Sequence, residues 1–403
     1  MTYPAKDHGQ NLFSTGPRNC KGFRRYSEPS FIYMDKSADA PVVAARELLE
    51  GWFVNLPFDA KADIRGRFRE KTERQHQGAF WELYMHEFLL RLGFSVTCHP
   101  SLLNKPTRPD FLDKRGGQRS AYVEARLAGL PSDEEEKKAA IKNEVYDLIN
   151  GIRSPNFYLL VDADGVPKKS PKTGKMRRDL QQWLQTLDPD WPSSRFMDDS
   201  SASRFEWPSD GWTVTFNAIP KPPGLRGNPD ARPIGGKSSG ARYIDTPGEL
   251  LGALEPKAMW YGVTDLPLII AINHVGWHCD RDDVLEALYG RKKYVFDSHG
   301  STVSQVDAYH EANGFWRGSS GPRNQHVAGV LVGYGVNVWS SGAYSLDLYC
   351  NPWSTQKLFP SEWRVSHSYL DMQTGELVWI EGERAGRILE VPNPWPLEWK
   401  VKT

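Results

Sequence analysis

The stretch RPDFLDKRGGQRSAYVEAR, residues 108–126, predicts a β-hairpin. Its turn, KRGG at residues 114–117, joins two apolar segments and contains the glycines that tight turns favour. Asp110 follows a proline at the start of the first strand, and Glu124 lies within the second. A hairpin register can bring these two carboxylates within a few ångströms of each other, where their like charges repel.

The second strand, SAYVEARLA, alternates between two faces because the side-chain period of a strand is two residues. One face carries a titratable set and the other an apolar set that suits a core: Tyr122, Glu124 and Arg126 against Val123, Ala125 and Leu127. A hard divalent ion such as Mg²⁺ or Mn²⁺ would relieve the repulsion, since such ions prefer oxygen ligands. The alternative is that Asp110 belongs to a Pro-Asp turn and Glu124 to a solvated sheet face.

A third acid, Glu82, lies inside AFWELYM, where apolar and aromatic neighbours make an unused carboxylate costly. The surrounding helix, residues 78–93, carries an apolar stripe and ends in a glycine: Trp81, Met85, Phe88, Leu92 and Gly93. The alternative for Glu82 is a helix-flank position at the edge of this stripe.

The composition excludes several classes of protein. The 403 residues include 50 basic and 50 acidic side chains, so a nucleic-acid surface, if present, must be local. The 4 cysteines form no closely spaced pair, which is typical of proteins from a reducing compartment. No apolar run has the length of a membrane span, and the N-terminus lacks the apolar stretch of a signal peptide. We therefore expect a cytoplasmic protein without a membrane partner.

Helices that alternate with strands through the middle of the chain predict an α/β fold, a mixed sheet flanked by helices. Within it, SDEEEKKAAIKNEVYDLINGI predicts a helix over 132–152 whose Ser132 and Glu135 form a capping box. We divide the chain into an N-terminal arm and helical segment (1–75), a core (76–290) with an inserted loop (220–243), and a β-rich, aromatic-rich C-terminal part (291–403).

The order of these features resembles the PD-(D/E)XK nuclease superfamily, which has the restriction-endonuclease-like fold. Pro109-Asp110 corresponds to its PD motif, Glu124-Ala125-Arg126 to its (D/E)-x-K motif, and Glu82 to the acid of its first helix. The resemblance covers residues 76–165, and the predicted helix and strand of residues 246–273 would form a later part of the same sheet.

This resemblance implies a divalent-metal-dependent nuclease that hydrolyses phosphodiester bonds, in DNA rather than RNA, with a role in bacterial antiviral defence or repair. It implies that Asp110, Glu124 and the carbonyl of Ala125 hold Mg²⁺ or Mn²⁺, while Glu82 binds a second ion or the water network. The expected partner is nucleic acid, and the expected assembly is a dimer. Loops 115–119 and 221–242, which are rich in Arg or Lys, would select the target.

Arg126 departs from the family pattern, which has lysine at this position. An arginine offsets charge on a phosphate but cannot act as a base. Lys142, on the helix after the hairpin, and Lys257, before the buried strand LPLIIAIN, are the candidates for the missing lysine. If neither reaches the site, the rival interpretation is a catalytically inert nucleic-acid-binding or scaffold protein that keeps the fold.

Two further patterns carry weaker signals. ARPIGGKS, residues 231–238, matches a loose phosphate-loop pattern, but its prolines and the segment after it oppose the strand–loop–helix context that such a site needs. We therefore expect a flexible basic loop here. A nucleotide-dependent enzyme is the third possibility for the function. HVGWHCDRDD, residues 274–283, offers His274 and His278, yet that spacing suits zinc only on a helix, so we expect a loop capped by Asp280 or Asp282.

Overall fold

The computed structural model of this chain is a mixed α/β structure that contains a large mixed sheet flanked by helices, as the sequence predicts. It describes residues 11–102, 105–116, 118–165, 173–190, 203–209, 211–228, 232–238, 244–276, 278–299, 302–343 and 345–396. Gly117 of the hairpin turn, and residues 229–231 and 239–243 of the predicted inserted loop, lie outside the described residues.

The described residues form two compact units. The first contains the described parts of Met1–Gly22, Pro29–Leu130 and Asp245–Trp399, and the second those of Phe23–Glu28 and Pro131–Ile244. These bounds do not coincide with residues 75 and 290, at which the sequence was divided. The reason is long-range strand pairing, which joins C-terminal strands to the sheet that the hairpin begins.

The helices of the first unit are α1 (Ser30–Lys36), α2 (Ala40–Val54), α3 (Phe58–Phe68), α4 (Glu73–Arg91), α7 (Thr246–Tyr261), α8 (Arg281–Tyr289) and α9 (Ala385–Ile388). Those of the second unit are α5 (Asp133–Asn150) and α6 (Thr173–Gln185). Within the ranges given above, no helix combines the length and the apolar character that crossing a membrane requires.

The strands of the first unit are β1 (Ser95–Cys98), β2 (Phe111–Arg115), β3 (Gln118–Ala128), β8 (Leu268–His274), β9 (Lys292–His299), β10 (Thr302–His310), β11 (Arg317–Gly318), β12 (Gly321–Pro322), β13 (Val327–Tyr334), β14 (Leu346–Cys350), β15 (Ser366–Leu370) and β16 (Leu377–Ile380). Those of the second unit are β4 (Phe157–Gly165), β5 (Arg204–Ser209), β6 (Trp212–Pro220) and β7 (Ile234–Ser238).

The sheet of the first unit has the strand order β1-β2-β3-β8-β13-β14-β15-β16. The first three strands form an antiparallel meander. β3 then pairs in parallel with β8, and β8 in parallel with β13. In the chain, α7 comes directly before β8. Residues 131–244 lie in sequence between β3 and β8, although these two strands are neighbours in the sheet.

Successive residues of the central strands pack into two different cores. Val123 and Ile269 belong to a cluster with α2 and α4, whereas Tyr122 and Ile270 belong to a cluster with α7 and α8. This is the alternation that the period of β3 predicts. The indole N–H of Trp81 on α4 donates to the carbonyl oxygen of Ala271 at 2.9 Å, which fixes the helix against the sheet.

The second unit has a four-stranded sheet in the order β5-β6-β4-β7, and α5 and α6 pack with it around one core. At the start of α5, the predicted capping box is present: the side chain of Ser132 accepts from the N–H of Glu135, and Glu135 accepts from the N–H of Ser132. Such reciprocal bonds satisfy backbone donors that a helix N-terminus otherwise leaves unpaired.

The prediction of a continuous exposed loop over 220–243 is wrong in its described part, because β7 lies within it and pairs in parallel with β4. Its glycines permit this close approach. A Cβ atom on Gly235 would lie 3.0 Å from Tyr158, and one on Gly236 would lie 2.7 Å from Leu160. Lys237 therefore belongs to a strand, which removes the structural context of a phosphate loop.

Candidate active site

Asp110 and Glu124 lie opposite each other at the start of the hairpin. The register pairs Phe111 with Val123, so the next step of the antiparallel ladder places Asp110 beside Glu124. The backbone N–H of Ala125 donates to Oδ2 of Asp110 at 2.7 Å. This bond holds the Asp110 carboxyl against β3, at the residue that the sequence motif places between Glu124 and Arg126.

The electrostatic surroundings of Asp110 are dominated by burial and by other acids. Burial raises its pKa well above the usual range, and the charges of Glu124 and Glu82 raise it further. The Ala125 N–H and the charge of Lys257 act in the opposite direction but are weaker. Asp110 is therefore a carboxyl that ionises readily only when additional positive charge is supplied.

Glu124 is 2% exposed, and both of its oxygens are engaged by side chains of α7. The ammonium group of Lys257 forms an ion pair with Oε1. The hydroxyl of Tyr261 donates to Oε2 at 2.6 Å. Lys257 and Tyr261 face the same acid because residues four apart lie on one side of a helix.

The end of α7 is tied to the segment that precedes Asp110. The ammonium of Lys105 donates to the carbonyl oxygen of Tyr261, and to that of Val263 at 2.7 Å. The Tyr261 hydroxyl also lies 3.1 Å from the carbonyl oxygen of Arg108. Three segments that are distant in sequence, β3, α7 and the chain before β2, thus converge on Glu124.

Glu82 lies on the flank of α4, where its side chain is 14% exposed and bound by Arg67 of α3. The guanidinium donates to Oε1 at 2.7 Å and to Oε2 at 2.5 Å, and it also pairs with Asp63. Burial lowers the pKa of Arg67, but the bonds and charges of Glu82 and Asp63 outweigh it and raise the pKa. Glu82 contributes charge to the site while being held by its own arginine.

The raised pKa of Cys98 indicates that these acids lie in one region. Burial raises the pKa of its thiol to about 12, together with the charges of Asp59, Asp110 and Glu82. The Glu82, Asp110 and Glu124 oxygens nevertheless do not form a compact ligand set: in the described ranges, the one group of three or more ligand residues whose atoms all lie within 4.8 Å is another one, Glu249, His274 and His278.

Three cationic residues were predicted for the site, and the structure places them differently. Lys257 pairs with Glu124. Arg126 is exposed, and its charge opposes the rise in the pKa of the Tyr261 hydroxyl. Arg126 therefore lies at the rim of the same region. Lys142 lies on α5 in the second unit, where its ammonium donates to the carbonyl oxygen of Ala163 at 3.0 Å.

Sequence reasoning missed Tyr261 and the Glu249 group. The only signal for Tyr261 was its spacing of four residues from Lys257 on a predicted helix. The predicted loop over 274–283 is shorter in the structure: His274 ends β8, His278 lies in the segment between β8 and α8, and Asp280 caps α8 as expected. What the sequence did not indicate was that Glu249, at the start of α7, lies 2.9 Å from Nε2 of His274.

Comparisons of the chain with family models, with curated proteins and with solved structures give no match.

Proposed function

We propose that this protein is a divalent-metal-dependent nuclease whose active site contains Asp110, Glu124 and Lys257. The observation that carries the proposal is the meeting of a buried carboxyl, Glu124, and a half-buried one, Asp110, with one ammonium at the junction of the hairpin and α7. The order of elements around them, an acid-bearing helix, a strand, a hairpin and then a helix and a parallel strand, agrees with the restriction-endonuclease-like arrangement that the sequence resembles.

The donor set suits a hard cation such as Mg²⁺ or Mn²⁺. Asp110 and Glu124 offer carboxylate oxygens, and the carbonyl of Ala125 is the third ligand that the resemblance implies. Burial is the main reason that the pKa of Asp110 is raised, and the charges of Glu124 and Glu82 add to the rise, so a bound cation would favour the ionised carboxylate. When bound, such an ion acidifies water and neutralises charge on the scissile phosphate.

Lys257 supplies the positive charge that the family motif places on β3. Hydrolysis joins a water oxygen to phosphorus, breaks one P–O ester bond and leaves the water's proton for the departing oxygen. Negative charge grows on the phosphate oxygens during this step, and an ammonium fixed in a buried site stabilises it. The side chain of Lys257 is 13% exposed, so its charge is little screened by solvent.

The surface beside Lys257 suits nucleic acid. The Trp260 ring is 62% exposed, and the Lys257 ammonium lies 4.9 Å from its centroid. Exposed aromatic rings next to positive charge are platforms on which nucleic-acid bases stack. Arg126, exposed on β3, offers a guanidinium that matches phosphate oxygens.

One observation favours a catalytically inert nucleic-acid-binding protein as the second candidate. Glu124 already has an ion pair with Lys257 and a hydrogen bond from Tyr261, and Glu82 has an ion pair with Arg67, so two of the three acids have partners without an ion. Mn²⁺ titration separates the two functions. A nuclease binds Mn²⁺ through Asp110 and Glu124, whereas an inert protein binds nucleic acid without it.

Cleavage assays test the proposal directly. The purified chain is incubated with plasmid, linear and single-stranded DNA, and with RNA, with and without Mg²⁺ or Mn²⁺. We expect divalent-dependent cleavage that falls by about 10²–10³ or more in Asp110→Asn and Glu124→Gln, since both remove charge from the reacting centre. Cleavage at the wild-type rate in both variants would contradict the assignment.

Asp113→Asn is the matched control. Asp113 is a buried acid of the same hairpin, and its Oδ1 accepts from the N–H of Ala121 at 2.7 Å, as Asp110 accepts from Ala125. In the described residues, Asp113 is hydrogen-bonded to Ala121, whereas Lys257 and Tyr261 bind Glu124. Wild-type activity in Asp113→Asn, together with loss in Asp110→Asn, would assign the effect to the site rather than to the hairpin.

A further inference from the structure

A second group of ligand side chains lies toward the other end of α7. We propose that Glu249, His274 and His278 bind a transition-metal dication of the zinc class, at a site separate from the Asp110–Glu124 pair. Their ligand atoms all lie within 4.8 Å of one another. Two imidazoles and one carboxylate form a ligand set that zinc accepts, with a fourth position open to water or substrate.

His274 is the fixed member of this group. Its side chain is fully buried at the end of β8, and its Nε2 points at Oε2 of Glu249, 2.9 Å away. Gly276 offers both backbone groups to the other ring nitrogen: its N–H lies 3.2 Å from Nδ1, and its carbonyl oxygen 3.3 Å. Nδ1 can therefore accept a bond, or donate one when Nε2 binds a metal.

The contact between Nδ1 of His274 and the backbone of Gly276 resembles the outer-shell contacts of metal sites in general. A ligating histidine commonly donates its remaining N–H to a backbone carbonyl, which sets the ring orientation. Here Gly276 supplies that carbonyl without any movement of the ring. For Nε2 to bind a metal while Nδ1 donates to Gly276, the neutral ring must carry its proton on Nδ1. Any proton that Nε2 loses to solvent is therefore matched by one taken up at Nδ1, and Glu249 becomes a ligand instead of the hydrogen-bond partner of Nε2.

Two glycines leave room around the imidazoles. A Cβ atom on Gly129 would lie 2.6 Å from Nε2 of His274, and Gly129 has a φ of +70°. A Cβ on Gly276 would lie 2.4 Å from Cε1 of His278 and 2.8 Å from Cε1 of His274. Any larger residue at either position would displace the rings, so the backbone is shaped around this pair.

The other two ligands can adjust to an ion. The side chain of Glu249 is 32% exposed, and His278 is partly exposed on the segment between β8 and α8. The centroids of the two imidazole rings lie 5.2 Å apart, and the ring planes make an angle of 80°, an edge-to-face arrangement. A bound ion would link the first turn of α7 to the β8–α8 segment, and we expect it to stabilise both.

Zinc binding to the full-length chain tests the proposal. After treatment with a chelator, Zn²⁺ is titrated in competition with a chromophoric chelator, and bound metal is counted after dialysis. We expect one Zn²⁺ per chain, little competition from Mg²⁺, and ligand-field absorption when Co²⁺ replaces Zn²⁺. His278→Ala and Glu249→Gln should each lower the affinity by at least about 100-fold.

The controls separate this site from the proposed nuclease site. Both variants change partly exposed side chains, so they avoid the folding defect that replacing the buried His274 risks. His310→Gln removes an imidazole elsewhere in the same unit and should bind Zn²⁺ as the wild type does. Asp110→Asn should lose cleavage and keep zinc. Absence of stoichiometric Zn²⁺ in the wild type, or equal affinity in His278→Ala and the wild type, would overturn the proposal.

Discussion

The two ends of α7 place carboxylates beside different partners. Near the C-terminal end, Lys257 pairs as a full cation with a buried Glu124, while near the N-terminal end Glu249 faces the imidazole of His274 and is partly open to solvent. Eight residues of helix span about 12 Å. On β3, the four residues from Glu124 to Ala128 span about 13 Å, a similar length. One helix that runs antiparallel to β3 can therefore reach both groups of side chains.

Each end of α7 supports a different chemistry. Buried oxygen ligands beside an ammonium suit a hard ion and a phosphate, whereas imidazoles suit a softer transition metal. Because the two groups do not share a ligand, a change at one end should leave the other intact.

The largest effect on stability is expected for Lys257→Met. It leaves Glu124 buried without its cation, which typically costs about 3–5 kcal/mol of unfolding free energy. Glu249→Gln at the other end should cost less than about 1.5 kcal/mol, because it changes one partly exposed hydrogen bond. Urea unfolding of both variants at neutral pH gives the comparison.

The double variant Lys257→Met/Glu124→Gln supplies the control for this prediction. Removing the charge of Glu124 as well should restore most of the lost stability, as a double-mutant cycle would show. Equal losses in the single and double variants would mean that the packing of the lysine stem, rather than the charge pair, stabilises this end of α7.

A smaller, pH-dependent effect is expected at Asp113 of the same hairpin. Burial raises its pKa to about 7, so the folded state binds a proton that the unfolded state releases near pH 4. The stability contributed by Asp113 is therefore present below pH 4 and lost as pH rises through 7. Asp113→Asn should be more stable than the wild type at pH 8, by at most about 4 kcal/mol.

Thermal or urea unfolding from pH 4 to pH 8 measures this difference. The gain of Asp113→Asn over the wild type should grow with pH and level off above pH 7. A gain that does not change with pH would show that the variant acts through packing around Oδ2 of Asp113, which lacks a hydrogen-bond partner.

The smallest effect on stability is expected for Arg126→Ala, within about 0.5 kcal/mol, because the side chain is exposed. Its effect should fall on substrate binding: weaker affinity for DNA and a lower dependence of that affinity on salt, since one phosphate contact is lost. Zinc binding should not change. DNA affinity at several salt concentrations, with unfolding curves beside it, distinguishes a substrate contact from a structural role.

Local patterns predicted much of the hairpin region. The two-residue period of β3 predicts that Val123 and Tyr122 lie on opposite faces and that the face of Val123 packs in a core, and both are confirmed. That Tyr122 packs in a second core was not predicted. The capping box at Ser132 followed from side chains three residues apart. These features depend on neighbours in sequence, so a single chain segment contains the information they need.

Long-range pairing was beyond such patterns. The glycines of residues 220–243 indicated a loop, but β7 uses them to approach β4. The division of the chain at residue 290 assumed that later strands form a separate part, whereas β13 pairs with β8. Nothing local to a strand specifies which distant strand accepts its hydrogen bonds.

The sequence alone determined the residue types of both candidate sites and the strand that carries Glu124, because side-chain chemistry and backbone periodicity are properties of short segments. Tertiary structure decided which cation meets that acid. Lys257, rather than Lys142 or the adjacent Arg126, pairs with it, and Glu249 meets His274, because α7 packs across β3 and β8. A buried charge is stable only beside a partner, and packing between distant elements selects that partner.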